Sequence, residues 1–199
     1  MALHLVTAPA SEPITTSVAK VHLRVDHSVD DTLIDALCAA AREYVETGTR
    51  RKCITQTWDL KLDRFPGGDT IWLPFPPVTS VTSISYLDTN GDSQVLATTV
   101  YDTSFPSGPK ADCARISLAY QQTWPQTYDA INAVTIRFVC GYASASAVPG
   151  GLVAAMKLLL GHWYANRESV VVGGGANSQA VPQGADALIW QYKAVCPCG

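Results

Sequence analysis

Chemistry in this 199-residue chain would have to come from four histidines, six cysteines, scattered carboxylates and a few aromatic residues. The histidines are His4, His22, His27 and His162, with no pair at i, i+4 and no acidic partner of the kind metal proteases use. His162, between Gly161 and Trp163 at the edge of an apolar stripe, reads as a packing residue. Cys38 and Cys140 lie in apolar runs and read as buried thiols. Nothing near Cys140 supplies the electropositive, exposed setting a thiolate nucleophile needs, so a Cys140/His162 pair is not expected to react.

The six cysteines (Cys38, Cys53, Cys113, Cys140, Cys196, Cys198) are scattered through a chain too long for a disulfide mini-scaffold, and a reducing compartment is expected. Cys196-Pro-Cys198 is the one close pair, and it lacks the two-residue spacer of zinc knuckles and redox pairs. Asp30-Asp31, Asp59, Asp63 and Glu168 show no spacing that singles out an acid and a base. Gly173-Gly174-Gly175 is followed by no Lys-Ser/Thr, so it reads as a flexible loop to about Gln179 rather than a phosphate cradle. Trp72, Trp124 and Tyr128 read as exposed aromatics that could stack on sugars or bases. No basic residue is interleaved through 120–130, which argues against nucleic acid there. No catalytic, metal or cofactor site is expected.

The elements that would position these residues follow from periodicity. Thr15 or Thr16 caps a short helix to about Val25, with Val18, Val21 and Val25 on one apolar stripe. Ser28-Val29-Asp30-Asp31 has cap chemistry, with Asp31 at the third helical position, and opens a helix to about Thr47. Its apolar face is Leu33, Ile34, Leu37, Ala40, Ala41, Tyr44 and Val45, and Gly48 supplies the stop. Arg50-Arg51-Lys52 then complements the helix dipole.

From Ile54 the period becomes two, with Trp58, Leu60 and Leu62 on one side. Further strands are expected at Thr70–Leu73, Val78–Leu87, Gln94–Tyr101, Ala114–Leu118 and Ala133–Cys140, with a type I′ hairpin at Asn90-Gly91. Pro74, Pro76 and Pro77 mark an edge or a crossing, since proline cannot donate to a ladder. After Pro149 helical spacing returns, with Leu152, Val153, Met156, Leu159, Leu160, Trp163 and Tyr164 on one face and Leu158 off it. Asn166-Arg167-Glu168 ends this helix, Val170–Val172 leads into the glycine run, and a last helix spans about Gln183 to Ala194.

The expected class is α+β: a small helical bundle formed by the N- and C-terminal helices, with an inserted antiparallel β module. The expected parts are 1–53, 54–141 and 142–199. A net charge of −3 argues against a sequence-independent nucleic-acid binder, which needs a basic face. Ala8-Pro9-Ala10 has no basic residue among the residues before it, so no signal peptide is expected. No apolar run is long enough to span a bilayer, and a soluble protein is expected.

Four ordered segments resemble the head–tail connector (adaptor) family of tailed bacteriophages. The first is Leu5-Val-Thr-Ala-Pro with Glu12-Pro-Ile-Thr-Thr and Ala19-Lys-Val-His-Leu-Arg-Val-Asp26. The second is Asp31-Thr-Leu-Ile-Asp-Ala-Leu with Ala41-Arg-Glu-Tyr-Val-Glu and Cys53-Ile-Thr-Gln-Thr-Trp-Asp-Leu. The third is Leu73-Pro-Phe-Pro-Pro-Val-Thr-Ser-Val-Thr-Ser-Ile beside Tyr86-Leu-Asp, and the fourth Val148-Pro-Gly-Gly-Leu with Leu160-Gly-His-Trp-Tyr-Ala-Asn-Arg-Glu168. Thr16-Ser17 and the Cys-Pro-Cys ending depart from the family pattern.

The resemblance implies a structural virion protein, not an enzyme: a homo-oligomeric ring of about twelve copies beneath the portal protein, closed through two different side faces. The ring would hold a downstream neck or tail protein (a stopper or tail terminator). Double-stranded DNA would pass through its lumen without specific binding, and the ring would be assembled in the host cytoplasm with no membrane involved. Leu158, Leu188, Ile189, Trp190 and Tyr192 are the expected portal or subunit contacts. The alternative is a virion binding module whose β insertion holds a glycan or another virion protein through Trp72, Trp124 and Tyr128.

Overall fold

The computed structural model describes residues 1–166 and 183–197, and its fold is α+β. The chain divides into two compact units. One takes in residues 1–10, 50–143 and the tail from 194; the other takes in 11–49 and the described parts of 144–193.

The first unit is built from strands β1 (Ala2–Thr7), β2 (Gln56–Leu62), β3 (Thr70–Leu73), β4 (Val78–Leu87), β5 (Ser93–Val95), β6 (Tyr101–Ser104), β7 (Ala114–Leu118) and β8 (Val134–Cys140). A five-stranded sheet runs β1-β2-β8-β4-β5 and a three-stranded sheet runs β3-β7-β6, with every pairing antiparallel. The central strand β8 buries Val134, Ile136, Phe138 and Cys140 in alternation. Leu60 and Trp58 of β2 stand opposite Ile136 and Phe138, while Ile84 and Val81 of β4 flank the same two residues from the other side. These side chains form one core with Leu73, Ile71 and Ile116 of the smaller sheet.

Between Leu60 and Trp58 the alternation places Asp59 on the other face, directly opposite Arg137. The guanidinium grips it with two bonds, Nε to Oδ1 at 2.8 Å and the terminal nitrogen to Oδ2 at 2.9 Å. This bidentate pair explains how a carboxylate is buried on a strand. Just after β8, Gly141 takes φ 103°, and a Cβ there would lie 2.2 Å from the Ile54 carbonyl oxygen. Only glycine fits.

Several expectations are corrected here. The N-terminal segment, to which periodicity assigns no element, is a strand, β1, added to β2 at the sheet edge. The run 94–101 is two strands, β5 and β6, which lie in different sheets. Asn90-Gly91 does join β4 to β5, but only Gly91 has positive φ, where a type I′ turn needs two such residues. The Asp88 carboxylate accepts the N–H groups of Asn90 (2.9 Å) and Asp92 (3.1 Å), and this closes a longer turn instead. Pro74, Pro76 and Pro77 do mark a crossing, from β3 in one sheet to β4 in the other. The basic run does more than offset a helix dipole. Arg51 is buried and donates to the Ala111 carbonyl at 2.6 Å, while the Lys52 ammonium lies over the Trp58 and Phe75 rings at 4.8 and 4.6 Å.

The second unit contains α1 (Thr16–Leu23), α2 (Asp31–Thr49), α3 (Gly150–Ala165) and α4 (Gln183–Trp190). Helices α1 and α4 each pack on both α2 and α3. Thr15 caps α1, its hydroxyl accepting the Val18 N–H at 3.4 Å. Asp31 is the first residue of α2 rather than its third, and pairs with Lys20 of α1 at 2.7 Å.

The inner stripe of α2 is Ile34, Cys38, Ala41, Arg42, Val45, Glu46 and Thr49, rotated from the expected one, which leaves Ala40 and Tyr44 exposed. Two charged residues fit that stripe because the Arg42 guanidinium bridges Glu12 (2.7 Å) and Glu46 (3.4 Å). The face of α3 is close to the expected one, with Leu152, Ala155, Met156, Leu159 and Leu160 buried. Gly48 does not stop α2. It lies inside the helix, where a Cβ would come within 2.9 Å of the Ile189 Cγ2. The helix instead ends at Arg50, which takes φ 55°.

Candidate interaction surfaces

The expected contact residues at the C-terminal end separate once the helices pack. Trp190 is 71 % exposed and Leu158 41 % exposed. Leu188 is half-buried. Ile189 is only 6 % exposed, because it packs into the gap left by Gly48 and so helps seat α4 on its own subunit. Tyr192 is also half-buried, its ring placed where a Cβ on Gly151 would meet it at 2.8 Å. Of the five, Trp190 and Leu158 have apolar surface free for a partner. The Lys193 ammonium lies over the Trp190 ring at 4.9 Å, which keeps the indole outward with a charge beside it.

The periodicity of α1 points to Val18 and Val21 as a packing stripe, but the structure reverses this. Ala19 is fully buried, whereas Val18 is 44 % and Val21 81 % exposed. The small Ala19 side chain lets the α1 backbone approach its neighbours closely, and this turns the valines outward. With Ser17, His22 and Lys157 they line an open groove of about 460 Å³. The imidazole Nε2–H of His22 donates to the Lys157 carbonyl at 2.9 Å and holds α1 against α3 there. Ala19 and Leu23, at i, i+4, were the only sequence signal for this orientation.

The aromatic candidates of the β unit are largely occupied internally. The Trp124 indole is stacked on Phe65 (5.0 Å between centroids, 2° between planes), and its N–H donates to the Gly68 carbonyl at 2.9 Å. Trp72 is half-buried on β3 opposite Arg115. Tyr128 is exposed, and its backbone N–H donates to the Leu87 carbonyl at 3.0 Å. It shares a shallow groove with Asp63, Arg64, Phe65 and Asp129.

Reactive groups lie elsewhere. Burial, together with Asp35 and Glu12, pushes the Cys38 thiol up to about 11, which leaves it protonated at neutral pH. Cys140 is fully buried. Among the described residues no group of three His, Cys, Asp or Glu could hold a metal ion, and no helix is long and apolar enough to cross a membrane. The glycine loop 173–179, Val170–Val172, Arg167, Glu168 and Cys198 lie outside the described residues. Cys113 and Cys196 are bonded as a disulfide with their Cα atoms 5.6 Å apart, a pairing that the scattered spacing did not announce and that departs from the expected reduced state.

The chain is similar to a chain in the neck of an empty gene transfer agent particle, computed with C6 symmetry, at 27 % identity and a TM-score of 0.78. That similarity covers 98 % of this chain and 96 % of the other. The virion of the native gene transfer agent particle contains a match with the same identity, coverage and TM-score. The neck of the native particle, computed with C12 symmetry, gives 26 % identity and a TM-score of 0.73 over the same shares of both chains. No protein-family model matches the chain, and no curated protein matches it. The similarity is therefore to structural neck proteins of a phage-like particle.

Proposed function

We propose that this protein is a head–tail adaptor: one subunit of a closed ring, about twelve copies in number, in the neck of a phage-like particle. The observation that carries this reading is the extent of the similarity, which runs through both units over 98 % of the chain rather than through one common module. The ring joins the portal to the next neck or tail protein and lets double-stranded DNA pass. A net charge of −3 suits a lumen along which DNA must slide, since many phosphate contacts would hold it.

A head-to-tail ring needs two different, complementary side faces. The helical unit supplies candidates for both. Val18 and Val21 on α1 form one, and Trp190 of α4 with Leu158 of α3 forms the other. Exposed tryptophans of this kind commonly dominate an interface once buried.

The test is electron microscopy and native mass spectrometry of the full chain, alone and with the portal protein of its particle. Closed rings are expected, with Val21→Asp and Trp190→Ala each leaving a folded subunit that no longer closes them. A particle whose neck is built without this polypeptide would overturn the reading.

A further inference from the structure

We propose that Cys113–Cys196 is a redox latch that holds the C-terminal tail on the β unit and releases it when the bond is reduced. The bond joins residues 83 apart in sequence, Cys113 just before β7 and Cys196 in the tail. Residues 193–196 form neither helix nor strand, and among the described tail residues only Ala194 is buried, with Val195 85 % exposed. The tail has little apolar burial of its own, so the covalent bond is the main constraint on it. Cys38, Cys53 and Cys140 are buried in the fold and lie outside this bond.

The two sulfurs are unequal in access. Cys113 is buried while Cys196 is half-buried, so a small thiol attacks the Cys196 sulfur and expels the Cys113 thiolate. The Cys113 thiolate takes up a proton. A second small thiol then attacks the mixed disulfide and frees Cys196 as a thiol. In sum, the protein disulfide and two small thiols become two protein thiols and one small disulfide. The reverse exchange, with a small-molecule disulfide as oxidant, closes the latch. The tail is thus available to a partner in thiol-rich surroundings and fixed to the β unit in oxidising ones.

The full chain, purified without reductant, is tested by peptide mapping and by NMR relaxation of the backbone amides. A linked peptide containing Cys113 and Cys196 is expected. Brief treatment of the native protein with dithiothreitol is expected to expose these two cysteines to alkylation, and to lower the backbone order parameters of residues 194–196 from rigid values of about 0.85 to below about 0.6. Cys113→Ser is expected to give the same low order parameters with no reductant. Alkylation of both cysteines without reduction, or a bond from Cys196 to any other cysteine, overturns the pairing. A linked peptide whose opening leaves the order parameters at 194–196 unchanged overturns the latch.

Discussion

In the β unit, Leu60, Ile84, Ile136 and Phe138 stand across from one another on adjacent strands with no exposed surface. In the helical unit, α4 and the turn after it rest on Gly48 and Gly151, two positions that offer no side chain at all, and fill them with Ile189 and Tyr192. The sheet core depends on volume being present. The seat of α4 depends on volume being absent. The difference teaches where each region tolerates change: a cavity is the dangerous lesion in one, and an added carbon in the other.

Four variants would break or sharpen this contrast. The largest effect is expected from Phe138→Ala, which removes the biggest fully buried side chain of the sheet core and costs about 3–5 kcal/mol in chemical denaturation. A loss below about 1 kcal/mol would mean that the core repacks around the gap.

Gly48→Val inserts carbons where the Ile189 methyl already stands 2.9 Å from a Cβ position. It should cost about 1–3 kcal/mol, with faster hydrogen exchange concentrated in α4 and the strands unaffected. Uniform loss of protection over both units would break the contrast.

Trp190→Ala removes a ring that is 71 % exposed and should change subunit stability by less than about 0.5 kcal/mol. Its effect is expected in oligomerisation alone. A large fall in monomer stability would place the indole inside the subunit's own packing.

The smallest effect is a pH dependence. The Arg137 hydrogen bonds and charge hold the Asp59 carboxyl below its ordinary range, against the opposing effect of burial. The folded chain therefore keeps Asp59 ionised to lower pH than the unfolded chain does. Its stabilisation is complete above the ordinary aspartate value of about 4 and is lost as pH falls through the depressed folded value. Asp59→Asn should remove that part of the acid sensitivity, and an unchanged acid limb in the denaturation profile would show that other carboxylates carry it.

Much of the chain's local structure is legible residue by residue. The switch from a period of 3.6 to one of 2 near Ile54, the return to helix after Pro149 and the prolines between β3 and β4 depend on neighbours in sequence, and they mark real boundaries. Leu158 stands off the α3 stripe as its spacing implies, and Trp190 is likewise open to solvent. The other face of the proposed interface was hidden. Helix α1 carries two apolar stripes, and periodicity names stripes without saying which one a neighbour covers.

Composition and spacing alone thus determined the α+β class and the succession of helices, strands and helices from α1 onward, with β5 and β6 read as one strand, since these rest on short-range chemistry. Only the tertiary structure decided that β1 joins β2, that Gly48 is a seat rather than a stop, that Ala19 rather than the valines faces inward, and that Cys113 meets Cys196. Each of these is a contact between residues distant in sequence. Such contacts are selected by the packing of whole elements, which no local pattern records.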